Sequence, residues 1–210
     1  MVTSEAEICN SALVKIGEER ISSLDDAGKA ARTCKRQYPI KRDQLLEDYN
    51  WTFAITRITL APEATDPDFG FTARFLLPSD CIRFLGLYDS TEPLTNYTGT
   101  KTPHKLEGRY LLLDDTAASI YYIKRVTDVT KFSPQFAEAL ACLLAWDMAY
   151  DLTGGARQEA SLERRFMATV KRARLTQAIQ GTPEIFQSSE WIDSRLSNGP
   201  APGNPWAGGW

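Results

Sequence analysis

The chain has 210 residues, 43% of them hydrophobic and 24% charged, and a formal net charge of −3. That length allows one large domain or two small ones, and the composition is that of an ordinary globular core. The acidic balance argues against a protein that coats DNA without sequence preference, which would be basic.

The first residues, Met1 to Lys15, show no basic region followed by an apolar stretch, so no signal peptide is expected. Ile8, Ala12 and Ile16 recur at helical spacing with Leu13 beside them. Gly17 follows the last of these, where a helix C-terminus favours a residue that tolerates positive φ. Ser23-Leu24-Asp25-Asp26 predicts the start of a second helix, with a serine hydroxyl and acids at its positive end. Ala27, Ala31, Cys34, Tyr38, Leu45 and Tyr49 form its apolar stripe. Pro39 interrupts that stripe, and its missing N–H predicts a kink or two short helices.

From Thr56 the period changes to two, and Thr56-Arg57-Ile58-Thr59-Leu60 reads as a half-exposed strand. An acidic, proline-containing loop from Pro62 to Asp68 follows. Ala73 to Leu77, Ile82 to Tyr88, Lys105-Leu106, Arg109 to Leu113 and Ser119 to Arg125 read as further strands. Glu107-Gly108 and Asp114-Asp115 each predict a hairpin turn. The region from about 55 to 130 therefore reads as a small antiparallel sheet or sandwich.

Helical pattern returns at Ser133-Pro134, an N-cap serine with proline in the first turn. Phe136, Ala137, Leu140, Ala141, Leu143, Leu144, Ala145, Met148 and Ala149 make that helix apolar nearly all round, as for one buried on most faces. Gly154-Gly155 ends it. A last helix, about 156 to 180, carries Leu162, Phe166, Val170 and Ala173 on one side, and Gly181-Thr182-Pro183 stops it. The remaining 28 residues hold Trp191, Trp206 and Trp210 among Pro, Gly, Ser and Asn, and read as extended.

The order predicts an α+β chain: a discontinuous four-helix bundle with an inserted small antiparallel β-domain and an extended C-terminal arm. Residues 1–53 and 132–182 would form the bundle, 54–131 the β-domain and 183–210 the arm. Neither helix pair buries its stripe alone, which is the physical reason to unite them. No run of about 18 apolar residues occurs, so no transmembrane helix is expected.

Chemistry-bearing motifs are sparse. Cys9, Cys34, Cys81 and Cys142 form no CxxC pair and His104 is the one histidine, so a zinc site, which needs clustered ligands, is not expected. Cys9, Cys34 and Cys142 fall in apolar stripes and read as small buried hydrophobes of a reducing compartment. His104 lies between Pro103 and Lys105 in what reads as a polar loop, with no nucleophile elbow beside it. Glu18-Glu19, Asp25-Asp26 and Asp114-Asp115 are paired acids, but sequence neighbours diverge on helix or strand. Caps and turns explain them better than a glycosidase pair across a bond. No phosphate-cradling glycine motif is present. Catalytic residues and cofactors are therefore not expected.

Two binding surfaces are. Trp191, Ile192, Trp206 and Trp210 read as anchors of an arm that folds into a partner's groove, against the alternative that it wraps on its own bundle. Arg157, Arg164, Arg165, Lys171, Arg172 and Arg174 oppose only Glu159 and Glu163 along the last helix. They read as an interface for an acidic partner such as a neighbouring subunit, as a site for DNA phosphates, or as a solvated face.

Several stretches carry a resemblance. They are Glu7-Ile8-Cys9-Asn10, Ile16-Gly17, Ile21-Ser22-Ser23-Leu24, Ala30-Ala31-Arg32 and Trp51-Thr52-Phe53-Ala54, then Leu77-Pro78-Ser79-Asp80-Cys81, then Phe132-Ser133-Pro134-Gln135-Phe136-Ala137-Glu138-Ala139-Leu140. In this order the chain resembles the tail tubular protein A family, the head-to-tail adaptors of short-tailed bacteriophages. The resemblance implies a structural virion protein at the head–tail junction, assembled in the host cytoplasm and without enzymatic activity. It implies a ring, twelve copies by family expectation, that binds the portal protein above and a tail nozzle like tail tubular protein B below. Double-stranded DNA would pass through the ring during ejection without sequence-specific binding, and no membrane anchor is implied. The family's C-terminal segment is the portal-gripping part. From the residues alone, a hydrolase of cell-wall glycans, cytosolic or carried in the virion, and a DNA-binding accessory protein stay open as alternatives.

Overall fold

The computed structural model describes residues 4–88, 102–154 and 156–179. Helix α1 spans Glu5–Ile16. Ser4 caps it by accepting from the Glu7 N–H at 3.2 Å. Gly17 ends it at φ 84°, in the left-handed region, with its N–H turned back to the Leu13 and Val14 carbonyls, as the sequence predicts. Ile8, Ala12, Leu13 and Ile16 are all buried. Beyond the helix, Asn10 ties down the exit loop with both ends of its amide: Nδ2 donates to the Ile21 carbonyl at 2.9 Å, and Oδ1 accepts from the Ile21 N–H at 2.8 Å.

Helix α2 spans Lys29–Asp48 and differs from the sequence reading at its start. Ser23-Leu24-Asp25-Asp26 does not cap it; Gly28 stands at the N-cap position with no side-chain bond. The acids close a turn instead, the Asp26 carboxylate accepting from the Ser22 and Ser23 N–H groups at 2.8 and 3.0 Å. An Asx-type side chain that finds amides within its own turn is satisfied there and has none left for a helix start. Ala27 is accordingly exposed and precedes the helix, whereas Ala31, Cys34, Tyr38 and Leu45 are buried as predicted. Pro39 does not divide α2 into two helices; it lies inside one 20-residue helix, on an exposed face. Its ring faces solvent while Tyr38 and Leu45 hold the flanking turns in the core.

Trp51 and a short 3-10 turn, Thr52–Ala54, lead into the strands. These are β1 (Ile55–Leu60), β2 (Ala73–Leu76), β3 (Cys81–Leu87), β4 (His104–Glu107), β5 (Tyr110–Leu113) and β6 (Ala118–Lys124). They form two antiparallel sheets of three, ordered β1-β6-β3 and β2-β5-β4. The Glu107-Gly108 hairpin is present: Glu107 pairs with Tyr110, and Gly108 takes φ 60°. The Asp114-Asp115 hairpin is not, because β5 and β6 belong to different sheets. The turn is a crossover, held by the Asp114 carboxylate accepting from the Thr72 N–H at 2.7 Å. The two sheets share one apolar cluster that includes Phe75, Leu111 and Leu113 from one and Leu87, Ile120 and Tyr122 from the other. His104, expected in a loop, is the first residue of β4, with its ring 5.6 Å from that of Phe84.

Helix α3 spans Pro134–Thr153 and begins as predicted, with the Ser133 hydroxyl accepting from the Phe136 N–H at 3.2 Å. Eleven of its residues are buried, which fits a helix that packs against α1, α2 and the last helix at once. Helix α4, Ala156–Ala178, buries Leu162, Phe166, Val170 and Ala173 against it. A second apolar cluster joins residues of all four helices with Trp51, Ala54, Ile123 and Val126. Among the described residues the fold is thus α+β, with four helices and two small antiparallel sheets. Among the described residues, no helix is long and apolar enough to cross a membrane.

Candidate functional site

The basic run of α4 does not make one face. At 3.6 residues per turn, Arg164 and Lys171 point away from the buried Phe166–Ala173 stripe, Arg165 and Arg172 flank it on one side, and Arg174 flanks it on the other. The Arg164 Nε donates to the Ala160 carbonyl of its own helix at 3.1 Å. The side chain of Arg157 lies outside the described residues, as do Trp191, Ile192, Trp206 and Trp210.

Arg165 meets an acid that the sequence reading did not consider. Its guanidinium lies 3.7 Å from Glu138 of α3, not from Glu159 or Glu163 of its own helix. Glu138 also pairs with Lys15 of α1 at 3.1 Å. Lys15 is almost wholly buried and donates as well to the Ser11 hydroxyl at 2.7 Å. One carboxylate thus joins α1, α3 and α4, beside an open polar cleft of about 590 Å³ edged by Asn10, Arg20 and Arg165. Cys142 stands one turn beyond Glu138, with its sulfur 3.8 Å from Thr169 of α4, and burial pushes its thiol pKa upward. Cys9, Cys34 and Cys142 are buried free thiols, as the sequence predicts.

On its other flank α4 meets the end of α2. Arg174 stacks its guanidinium 5.5 Å from the Tyr49 ring centroid, and the Tyr49 hydroxyl donates to the Arg174 carbonyl at 3.2 Å. Gln177, buried, accepts from the Thr52 N–H at 3.1 Å and from its hydroxyl at 2.6 Å. These bonds fix α4 to the chain where it leaves α2 for the strands. Tyr49 and Arg174 also edge a groove of about 510 Å³, whose walls are mostly apolar: Tyr49, Phe166, Met167, Val170, Leu175 and Ala178. Met167 and Leu175 are 54% and 59% exposed, far more than a helix between packed neighbours shows. Sequence reasoning missed this groove because its two walls are about 120 residues apart. The legible signal was the pair Met167 and Leu175, apolar residues off the buried stripe.

Of the paired acids, Asp26, Asp114 and Asp115 serve turns. Asp25 bonds Lys35 at 2.7 Å, and that ammonium holds its carboxyl below the usual range. Asp115 accepts from the Thr116 N–H at 2.7 Å. Among the described residues, no group of three or more His, Cys, Asp or Glu stands close enough to hold a metal ion. The chain matches no protein-family model. It matches no curated protein.

Proposed function

We propose that this chain is a structural head-to-tail adaptor of a short-tailed phage, one subunit of a ring between portal and tail nozzle around the DNA channel. Its role is assembly rather than catalysis. The observation that carries the reading is where the resemblance falls. Two of its stretches, Trp51-Thr52-Phe53-Ala54 and Phe132-Ser133-Pro134-Gln135-Phe136, lie some 80 residues apart in the chain. In the fold their rings meet: Trp51 and Phe53 each stand 5.0 Å from Phe136, and Phe132 stands 4.8 Å from it. Two of the motifs that resemble the adaptors thus pack together in one aromatic cluster.

On this reading residues 1–53 and 132–182 form a discontinuous four-helix bundle, 54–131 an inserted β-domain and 183–210 an arm. The bundle supplies walls between subunits, and a ring closes when one heterologous contact repeats through a closing rotation. Arg164, Lys171 and Arg172, projecting from α4, suit an acidic patch on a neighbouring subunit or on the portal. The arm carries Trp191, Ile192, Trp206 and Trp210 toward the portal. Truncation after Thr182 tests the docking: helical circular dichroism is retained and portal binding is lost. Portal binding undiminished by that truncation removes the arm from the account.

A further inference from the structure

Phe69 is the most exposed large apolar residue among those described, at 88%. It stands in the loop between β1 and β2, within Asp66-Pro67-Asp68-Phe69-Gly70. The base of that loop is pinned. The Glu63 N–H donates to the Arg74 carbonyl at 2.9 Å, the two side chains pair at 3.4 Å, and the Thr72 N–H is held by Asp114. Pro67 fixes one backbone angle ahead of the ring, and Gly70 turns the chain just after it at φ 92°. An aromatic ring held out on a pinned loop has little freedom left to lose on docking. Asp66 and Asp68 beside it are exposed and form no ion pair among the described residues.

The groove along α4 complements this loop in both shape and charge. Met167, Val170 and Leu175 give it apolar surface, and Lys171 and Arg174 line it against the one acid Asp48. Phe69 does not fill the groove of its own molecule, since its ring is exposed. Strand β1 also runs about 17 Å from its start, near the bond of Thr52 to α4, before the loop begins. We infer that the Phe69 loop of one molecule docks in the α4 groove of a second copy, with Phe69 against Met167 and Leu175 and Asp66 or Asp68 against Lys171. Loop and groove are unlike surfaces, so the contact is heterologous, and each copy offers one of each to its neighbours. The inference deepens the adaptor reading and rests on it only for closure of the contact into a ring.

Sedimentation of the full-length chain over a concentration series up to about 1 mM tests it, because one loop in one groove is a contact of the small, weak class. The unsubstituted chain gains mass as concentration rises. Phe69→Ser and Met167→Glu/Leu175→Glu, at exposed positions that leave the melting temperature unchanged, each weaken self-association by on the order of 10-fold or more. Mixed in equal amounts, the two variants form a dimer and nothing larger, because the mixture brings one intact loop to one intact groove. A chain that stays monomeric throughout the series overturns the inference, as does association that neither variant weakens. Variants that dissociate singly and do not complement each other also overturn it, and make the contact one between like surfaces. Portal binding lost in the groove variant with self-association intact overturns it as well, and assigns the groove to the portal. A chain that associates in this way and ignores the portal keeps the contact and removes the adaptor reading, so the two fail separately.

Discussion

Trp51 carries more of this structure than its single position suggests. Its indole is fully buried, its Nε1–H donates to the Leu45 carbonyl at 2.7 Å, and its ring packs edge-on against Phe136 and Tyr49. The bond matters because a tryptophan N–H left without a partner in the core would cost part of what the ring's burial contributes. Trp51→Ala is expected to destabilise the chain by about 3–5 kcal/mol, read from urea unfolding, since it removes the largest buried side chain at the junction of helices and strands. A loss under about 1 kcal/mol would mean that the junction repacks freely. Tyr122 sets a second residue-scale expectation. Burial, reinforced by the Asp80 carboxylate that its hydroxyl bonds at 3.1 Å, raises its pKa to about 12. The fold therefore prefers the neutral phenol, while the unfolded chain ionises near the ordinary value of about 10. Its contribution is complete below pH 10 and is lost as pH rises toward 12. Over that window Tyr122→Phe flattens the fall of unfolding free energy by up to about 1.4 kcal/mol per pH unit. An unchanged alkaline slope would show that Tyr122 titrates freely in the fold.

Among the elements, α2 is the one that departs from its own local signals. Proline inside a helix gives up the bond to the carbonyl four residues back and crowds that turn, at about 3 kcal/mol relative to alanine in a helix interior. The helix persists because the side chains around Pro39 are anchored elsewhere. Tyr38 and Leu45 lie in the core, Lys41 bonds Asp147 of α3 at 2.6 Å, and Asp43 bridges Arg42 and Arg125 at the end of β6, both at 2.8 Å. Pro39→Ala should therefore raise stability by about 1–3 kcal/mol in thermal and urea unfolding, with the helix content unchanged. A destabilised variant would show that the proline shapes α2 in a way the packing requires. The same contrast explains what could be read in advance. The C-terminal end of α1 and the start of α3 were legible because Gly17 and Ser133 act on their own turn, through a left-handed backbone and a hydroxyl one turn away. The start of α2 was not, because Asp25 and Asp26 had two local uses and the turn won. The Asp114-Asp115 connection was misread for a related reason: a two-residue acidic turn looks the same whether it returns within a sheet or crosses to another. Strand pairing between β3 and β6 is fixed by burial of Tyr122 and Ile123, which no local pattern states.

For the whole molecule, the features proposed to meet partners were legible unevenly. Charge along α4 is visible in the sequence, but its division among three directions depends on which stripe is buried. The Glu138 bridge to Lys15 and Arg165 and the Gln177 bond to Thr52 join residues more than 100 apart or on separate helices, so only the assembled fold displays them. What remains outward is a set of cations on α4 and an apolar groove at its far flank, two unlike surfaces of the kind that a heterologous ring contact uses. The central claim is that copies of this chain assemble on a portal, and mass determination of the purified chain, alone and mixed with portal rings from the same virion, tests it most directly. The account predicts that the portal ring gains mass in multiples of this chain up to a closed ring of about twelve copies, matching family expectation and cyclic symmetry. A chain that stays monomeric and leaves the mass of the portal ring unchanged would contradict it.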